Sequence, residues 1–132
     1  MSDSSHRDFR TPIGRARGLG SAKSGTGHFW WQRVTAISLA LLTPWILGML
    51  IALVGADHAQ VQAVLAKPAN TIALALFAIS LFWHSRLGLQ VVIEDYIHHL
   101  PLEIFLQLLV TFACALGGLA SLYAIGRIAL PA

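Results

Sequence analysis

The sequence predicts an all-α membrane protein with three transmembrane helices. Of its 132 residues, 56% are hydrophobic and only 11% are charged, where soluble domains carry about a quarter. The mean hydropathy is +0.68. The apolar residues gather into three long stretches, and each meets the roughly 20 residues that a helix needs to cross the hydrocarbon core. Lipid offers no water to backbone N–H and C=O groups, so such stretches satisfy them internally as helices rather than as open strands. A chain this short is not a multidomain enzyme, and one this apolar is not disordered. Cys114 is the single cysteine, which excludes a disulfide framework and a cysteine-only metal site.

Residues 1–33 form a polar, basic N-terminal segment with six of the nine Lys and Arg residues: Arg7, Arg10, Arg15, Arg17, Lys23 and Arg33. No apolar run lies near Met1, unlike a secretory signal peptide. Asp3 and Asp8 weaken the resemblance of this Arg- and Ser-rich start to an organelle transit peptide. A bacterial inner membrane is therefore expected before a mitochondrial one. The run from Gly18 to Ser24 only imitates a phosphate loop. That motif needs glycine immediately before its lysine and again six residues before it, where this chain has Ala22 and Arg17. A flexible basic segment lying against anionic headgroups or a partner protein is the better expectation.

Residues 34–132 form the transmembrane domain, with helices expected at about 34–54, 68–93 and 104–126. The first and third stretches carry no charge, and the second is interrupted only by His84 and Arg86. Phe29, Trp30 and Trp31 stand just before the first helix, and Tyr123 near the far end of the third, where aromatic belts form. Pro44 should kink the first helix. Ala113, Gly117 and Ser121 repeat at four-residue spacing, which predicts a close-packing face on the third. With three crossings, the N-terminal segment and the 94–103 loop share one side with six basic residues, against Lys67 and Arg127 on the other. The positive-inside rule then puts the N-terminus in the cytoplasm and the C-terminus on the opposite side.

Chemistry concentrates between Ser80 and His99. Ionisable residues inside a spanning helix cost roughly 2.5–3.5 kcal/mol for Arg or Lys on insertion scales and are functional by default. His84 precedes Glu94 by ten residues, or about 15 Å of helix, which sets it near the bilayer midplane. Phe77, Ser80, Gly88, Val91 and Asp95 fall within about 40° of it around the helix. The small Ser80 and Gly88 leave room beside the imidazole for something flat, and a haem fits that description. A neutral imidazole bonded to a neighbouring helix is an equally open alternative. If His84 does ligate haem, the second axial histidine must come from another chain, because His6, His28, His58, His98 and His99 all fall outside the expected core. Arg86 lies about 200° round from His84 and does not share its face. It is expected to snorkel toward the cytoplasmic boundary, to pair with a carboxylate or to meet a haem propionate. Asp95 and Tyr96 end the second helix. The phenol is either an interfacial anchor or a hydrogen-bond donor to a lipid-soluble quinone, with Asp95 beside it.

In its segment from His28 onward the chain resembles the smaller hydrophobic anchor subunit of succinate dehydrogenase, respiratory complex II. The resemblance rests on three helices, on the run His28-Phe29-Trp30-Trp31-Gln32-Arg33-Val34-Thr35-Ala36 entering the first, and above all on the second helix. There His84 is followed by Gly88, Gln90-Val91-Val92 and Asp95-Tyr96. The resemblance implies that His84 is an axial ligand of haem b, shared with a second three-helix cytochrome b anchor subunit against which this chain packs. It implies that Tyr96 hydrogen-bonds ubiquinone and that Asp95 contributes to that site. The implied partners are that anchor, a flavoprotein subunit, an iron–sulfur subunit and the lipid membrane. Catalysis would not belong to this chain alone: it would dock the soluble subunits and form part of the quinone pocket in the tricarboxylic acid cycle and aerobic electron transport. Two other readings come from different directions: the anchor of a fumarate reductase, and a small proton or solute transport protein using His84, Arg86 and Asp95.

Overall fold

A computed structural model of the chain describes residues 25–130. These residues form four α-helices and no strand: α1 (Gly25–Ala52), α2 (His58–Leu65), α3 (Pro68–Tyr96) and α4 (Leu100–Ala129). Residues 1–24, which hold most of the expected polar segment 1–33 and the glycine-rich run within it, lie outside the described residues.

Helices α1, α3 and α4 are long and apolar enough to cross a membrane. At 28, 29 and 30 residues, each is about 42–45 Å long, well beyond the ~30 Å hydrocarbon core. Their ends therefore extend past the apolar stretches into the headgroup regions. Helix α1 continues through Pro44. Pro68 opens α3, where its missing N–H belongs to a turn that would leave that donor unpaired anyway. Only Ile97, His98 and His99 separate α3 from α4, a turn short enough to force the two helices antiparallel and adjacent.

The connection between the first and second spans contains a helix that the apolar pattern did not announce. Helix α2 has eight residues, too few to register as a span. It is set by a capping box: the Asp57 carboxylate accepts from the Gln60 backbone N–H at 2.8 Å, and the Gln60 side chain accepts from the Asp57 N–H at 3.2 Å. Gly55, at φ 83°, supplies the left-handed turn that lets the chain leave α1. At its other end α2 is stitched to α3. Asn70 Nδ2 donates to the Val64 carbonyl and Thr71 Oγ1 to the Leu65 carbonyl, both at 2.8 Å. The Leu65 carbonyl at the end of α2 is thereby satisfied, and the Val64 carbonyl, which also accepts from the Lys67 N–H at 3.3 Å, gains a second donor.

Helix α3 is the centre of the arrangement. Helices α1 and α4 pack along it, and among the described residues they make no close approach to each other. Thr35 and Ile46 of α1, and Ala78, Ser80, Leu87 and Ile93 of α3, are the buried residues of this thin core. No large side chain is fully enclosed. Leu41, Ile51, Phe112 and Leu116 are each about two-thirds exposed or more, a surface suited to lipid or to another apolar chain.

Candidate functional site

The two sides of α3 carry different polar contacts. Toward α1, the Ser80 hydroxyl donates to Ser38 Oγ at 2.8 Å. One turn further, His84 Nδ1 lies 3.1 Å from Thr35 Oγ1. Thr35 is buried and His84 half-buried. The Thr35 hydroxyl also reaches back along its own helix, 2.7 Å from the Trp31 carbonyl and 3.2 Å from that of Gln32. Trp31 and Trp83 pack beside this contact with ring centroids 5.3 Å apart. At the entry to α1 the Arg33 guanidinium rests over the Phe29 ring, 4.8 Å from its centroid.

Toward α4, the Phe82 ring occupies the notch left by Gly117 and Gly118. Arg86 Nε donates to Thr111 Oγ1 at 3.2 Å. Beside that bond Arg86, Gln90, Gln107 and Thr111 line a small cavity of about 60 Å³. Among the described residues no carboxylate pairs with Arg86; it meets instead a hydroxyl of the next helix, a partner the sequence did not suggest. His84 and Arg86 face different neighbours, as their angular separation requires. Gly117 is the member of the small-residue stripe that meets another helix, whereas Ala113 is exposed and Ser121 bonds back to the Gly117 carbonyl at 2.8 Å.

Ser80 and Gly88 behave differently around His84. Ser80 is spent on packing against α1. Gly88, one turn on from His84, has no atom within 4 Å of where a Cβ would stand, so the helix face is open there. Tyr96 and Asp95 are exposed at the end of α3. Twelve residues separate Tyr96 from His84, about 18 Å of helix, so the chain holds them as two separate positions. Among the described residues no group of three or more His, Cys, Asp or Glu side chains converges as a metal site.

Thr35 escaped the sequence reading. It sits 49 positions from His84, and no spacing rule links a threonine in one span to a histidine in the next. Its only signal was its place in the run that carried the family resemblance. His28 and Gln32 were likewise passed over. They share a face of α1 with Thr35, and His28 Nε2 and Gln32 Oε1 are buried without a hydrogen-bond partner.

The fold and these contacts define a class: a three-span helical membrane protein with a histidine in the middle of its central helix and an apolar surface built to be covered. Comparison makes the class specific. A family model described as succinate dehydrogenase/fumarate reductase transmembrane subunit matches residues 7–118, and the chain belongs to that family. It is 44% identical to the succinate dehydrogenase hydrophobic membrane anchor subunit of Rickettsia bellii over 90 residues, 68% of this chain and 72% of that one. Its identity to the subunit of the same name from Rickettsia conorii is 38% over 108 residues, 81% of this chain and 86% of the relative. The Paracoccus denitrificans subunit matches at 33% over 124 residues, 94% of this chain and 95% of the other. The chain is thus a membrane anchor, multi-pass in a bacterial inner membrane, that associates there with other subunits.

Proposed function

We propose that the chain is the smaller membrane anchor of a succinate dehydrogenase, with His84 as one axial ligand of haem b and Tyr96 as a hydrogen-bond donor to ubiquinone. The observation that carries the haem assignment is the state of His84. Its Nδ1 is engaged by Thr35, Nε2 makes no protein hydrogen bond among the described residues, and Gly88 leaves the helix face one turn away open. A histidine ligand characteristically has one nitrogen held by the protein and the other free, so the residues present fit the group. The second axial ligand would come from the partner anchor, because among the described residues no second histidine is bonded to or paired with His84. Haem b supplies one-electron transfer when bound.

The remaining roles follow from position. The N-terminus and the 94–103 turn face the cytoplasm, where the flavoprotein and iron–sulfur subunits dock. Tyr96 and Asp95 lie at that face, exposed and ready to be closed over by a partner. In a pocket so formed, the Tyr96 hydroxyl donates to a quinone carbonyl and fixes its orientation. Asp95 helps protons reach the site, where quinone takes up two electrons and two protons. The family description also names fumarate reductase, but the relatives above all carry the succinate dehydrogenase name, which favours that direction. Transport through this chain gains no support, since His84 and Arg86 face opposite sides of α3.

The test is His84→Ala in the chromosomal copy, with the tagged complex purified in mild detergent. The flavoprotein, the iron–sulfur protein and a second three-helix anchor should co-purify, and the haem b absorption should be lost. A haem spectrum equal to that of the parent would remove His84 as ligand, and a chain purified alone would remove the dehydrogenase assignment itself.

A further inference from the structure

The hydrogen bond between Thr35 and His84 has a direction, and that direction decides what His84 offers to a ligand. A threonine hydroxyl carries one proton and can accept through its lone pairs. Two carbonyl oxygens compete for the Thr35 proton, and the Trp31 carbonyl at 2.7 Å is the closest of all its partners. Carbonyl oxygens only accept, so the short bond commits the proton to the backbone of α1, the usual back-bond of a threonine within a helix. Toward His84, 3.1 Å away, the Thr35 oxygen is left only as an acceptor. The imidazole must then donate, which places its proton on Nδ1 and leaves the lone pair on Nε2.

We infer that Thr35 is a positioning residue for His84: by accepting from Nδ1–H it holds the imidazole in the tautomer and ring orientation that present Nε2 as a ligand. The inference rests on the haem reading proposed above and adds a residue of this chain to it. Thr35 suits the task because it is itself fixed. It is buried, its hydroxyl is tied to its own helix, and the neighbouring Ser38–Ser80 bond holds α1 and α3 in register one turn away. An acceptor on the far nitrogen of a ligating histidine also raises its basicity, and losing such a partner typically weakens binding about 10–100-fold.

The experiment uses the whole purified complex carrying Thr35→Val, Thr35→Ser or His84→Ala. Haem loss is followed by transfer to excess apomyoglobin, and the haem midpoint potential by redox titration. Thr35→Val, which keeps the shape and removes the acceptor, should release haem about tenfold faster or more. Its potential should rise as the imidazole becomes a weaker electron donor. Thr35→Ser should return both quantities to the parent values, which a residue that merely filled space would not do. Should Thr35→Val fail to assemble, Thr35→Cys replaces the oxygen by a poor acceptor of similar size and takes its place. Parent-like release and potential in the Val or Cys variant, or a Ser variant as impaired as Val, would overturn the inference while His84→Ala still loses haem. If His84→Ala also keeps its haem, the ligand assignment itself falls and Thr35 with it.

Discussion

Tyr96 and His84 occupy the same helix but ask for different tests. With its ring largely exposed at the end of α3, Tyr96 contributes little to the packing of this chain. Tyr96→Phe should therefore leave assembly and haem content intact while lowering kcat/KM for ubiquinone about tenfold, the worth of one hydrogen bond at the upper end of the neutral range. Succinate oxidation by an artificial dye that takes electrons before the quinone should be unchanged. Equal losses with dye and quinone would place the defect in assembly instead. At this scale the sequence revealed which residues bear chemistry, because a histidine and an arginine stand out within an apolar stretch. It did not reveal what they touch. Thr35 looks like any other threonine of a spanning helix, and the Arg86 contact to Thr111 depends on a neighbour 25 positions away. Ser80 and Gly88 read alike as small residues beside His84, yet one is bonded to Ser38 and the other faces open space.

At the level of elements, the contact between α3 and α4 turns on Phe82. A Cβ at Gly117 would run into its ring, and Gly118 lies against the same side chain. Gly117→Leu should thus lower the thermal midpoint of the solubilised complex, at an overpacking cost of about 1–3 kcal/mol. Adding Phe82→Ala should recover part of the loss by reopening the space. Additive losses in the double variant would show that the leucine clashes elsewhere. The three spans were legible because twenty consecutive apolar residues admit few other structures. Helix α2 was not, because eight residues with mixed polarity resemble a loop. Its capping pair, Asp57 and Gln60, was visible in the sequence but carries weight only once the geometry shows both bonds made.

Across the whole molecule, burial is too thin to account for a chain that folds alone. The stretches that cross the membrane keep most of their apolar side chains uncovered, and α4 buries none of its residues. Lipid and the other subunits of the complex are left to cover the rest, which is why the fold class was legible in the sequence whereas the covering surface was not. Orientation is the testable property at this scale. Ala59 is exposed on α2 and His98 on the turn between α3 and α4. In intact cells with a permeabilised outer membrane, Ala59→Cys should react with an impermeant maleimide and His98→Cys should react only after lysis. The reverse pattern would invert the topology and move the Tyr96 end away from the soluble subunits.

The lateral order of the spans, with α3 between two helices that do not meet, also shapes how such a chain can change over generations. The row Thr35, Ser38, Ser80 and His84 and the row Phe82, Arg86, Thr111 and Gly117 share a backbone, and among the described residues no hydrogen bond joins them. Substitutions that share no partner combine more nearly additively than those within one network. Each seam can drift at its own rate: the α4 seam can be rewritten for a different lipid or neighbour while the histidine side is inherited unchanged. Divergent relatives can therefore keep one half of the helix's duties after the other has been lost.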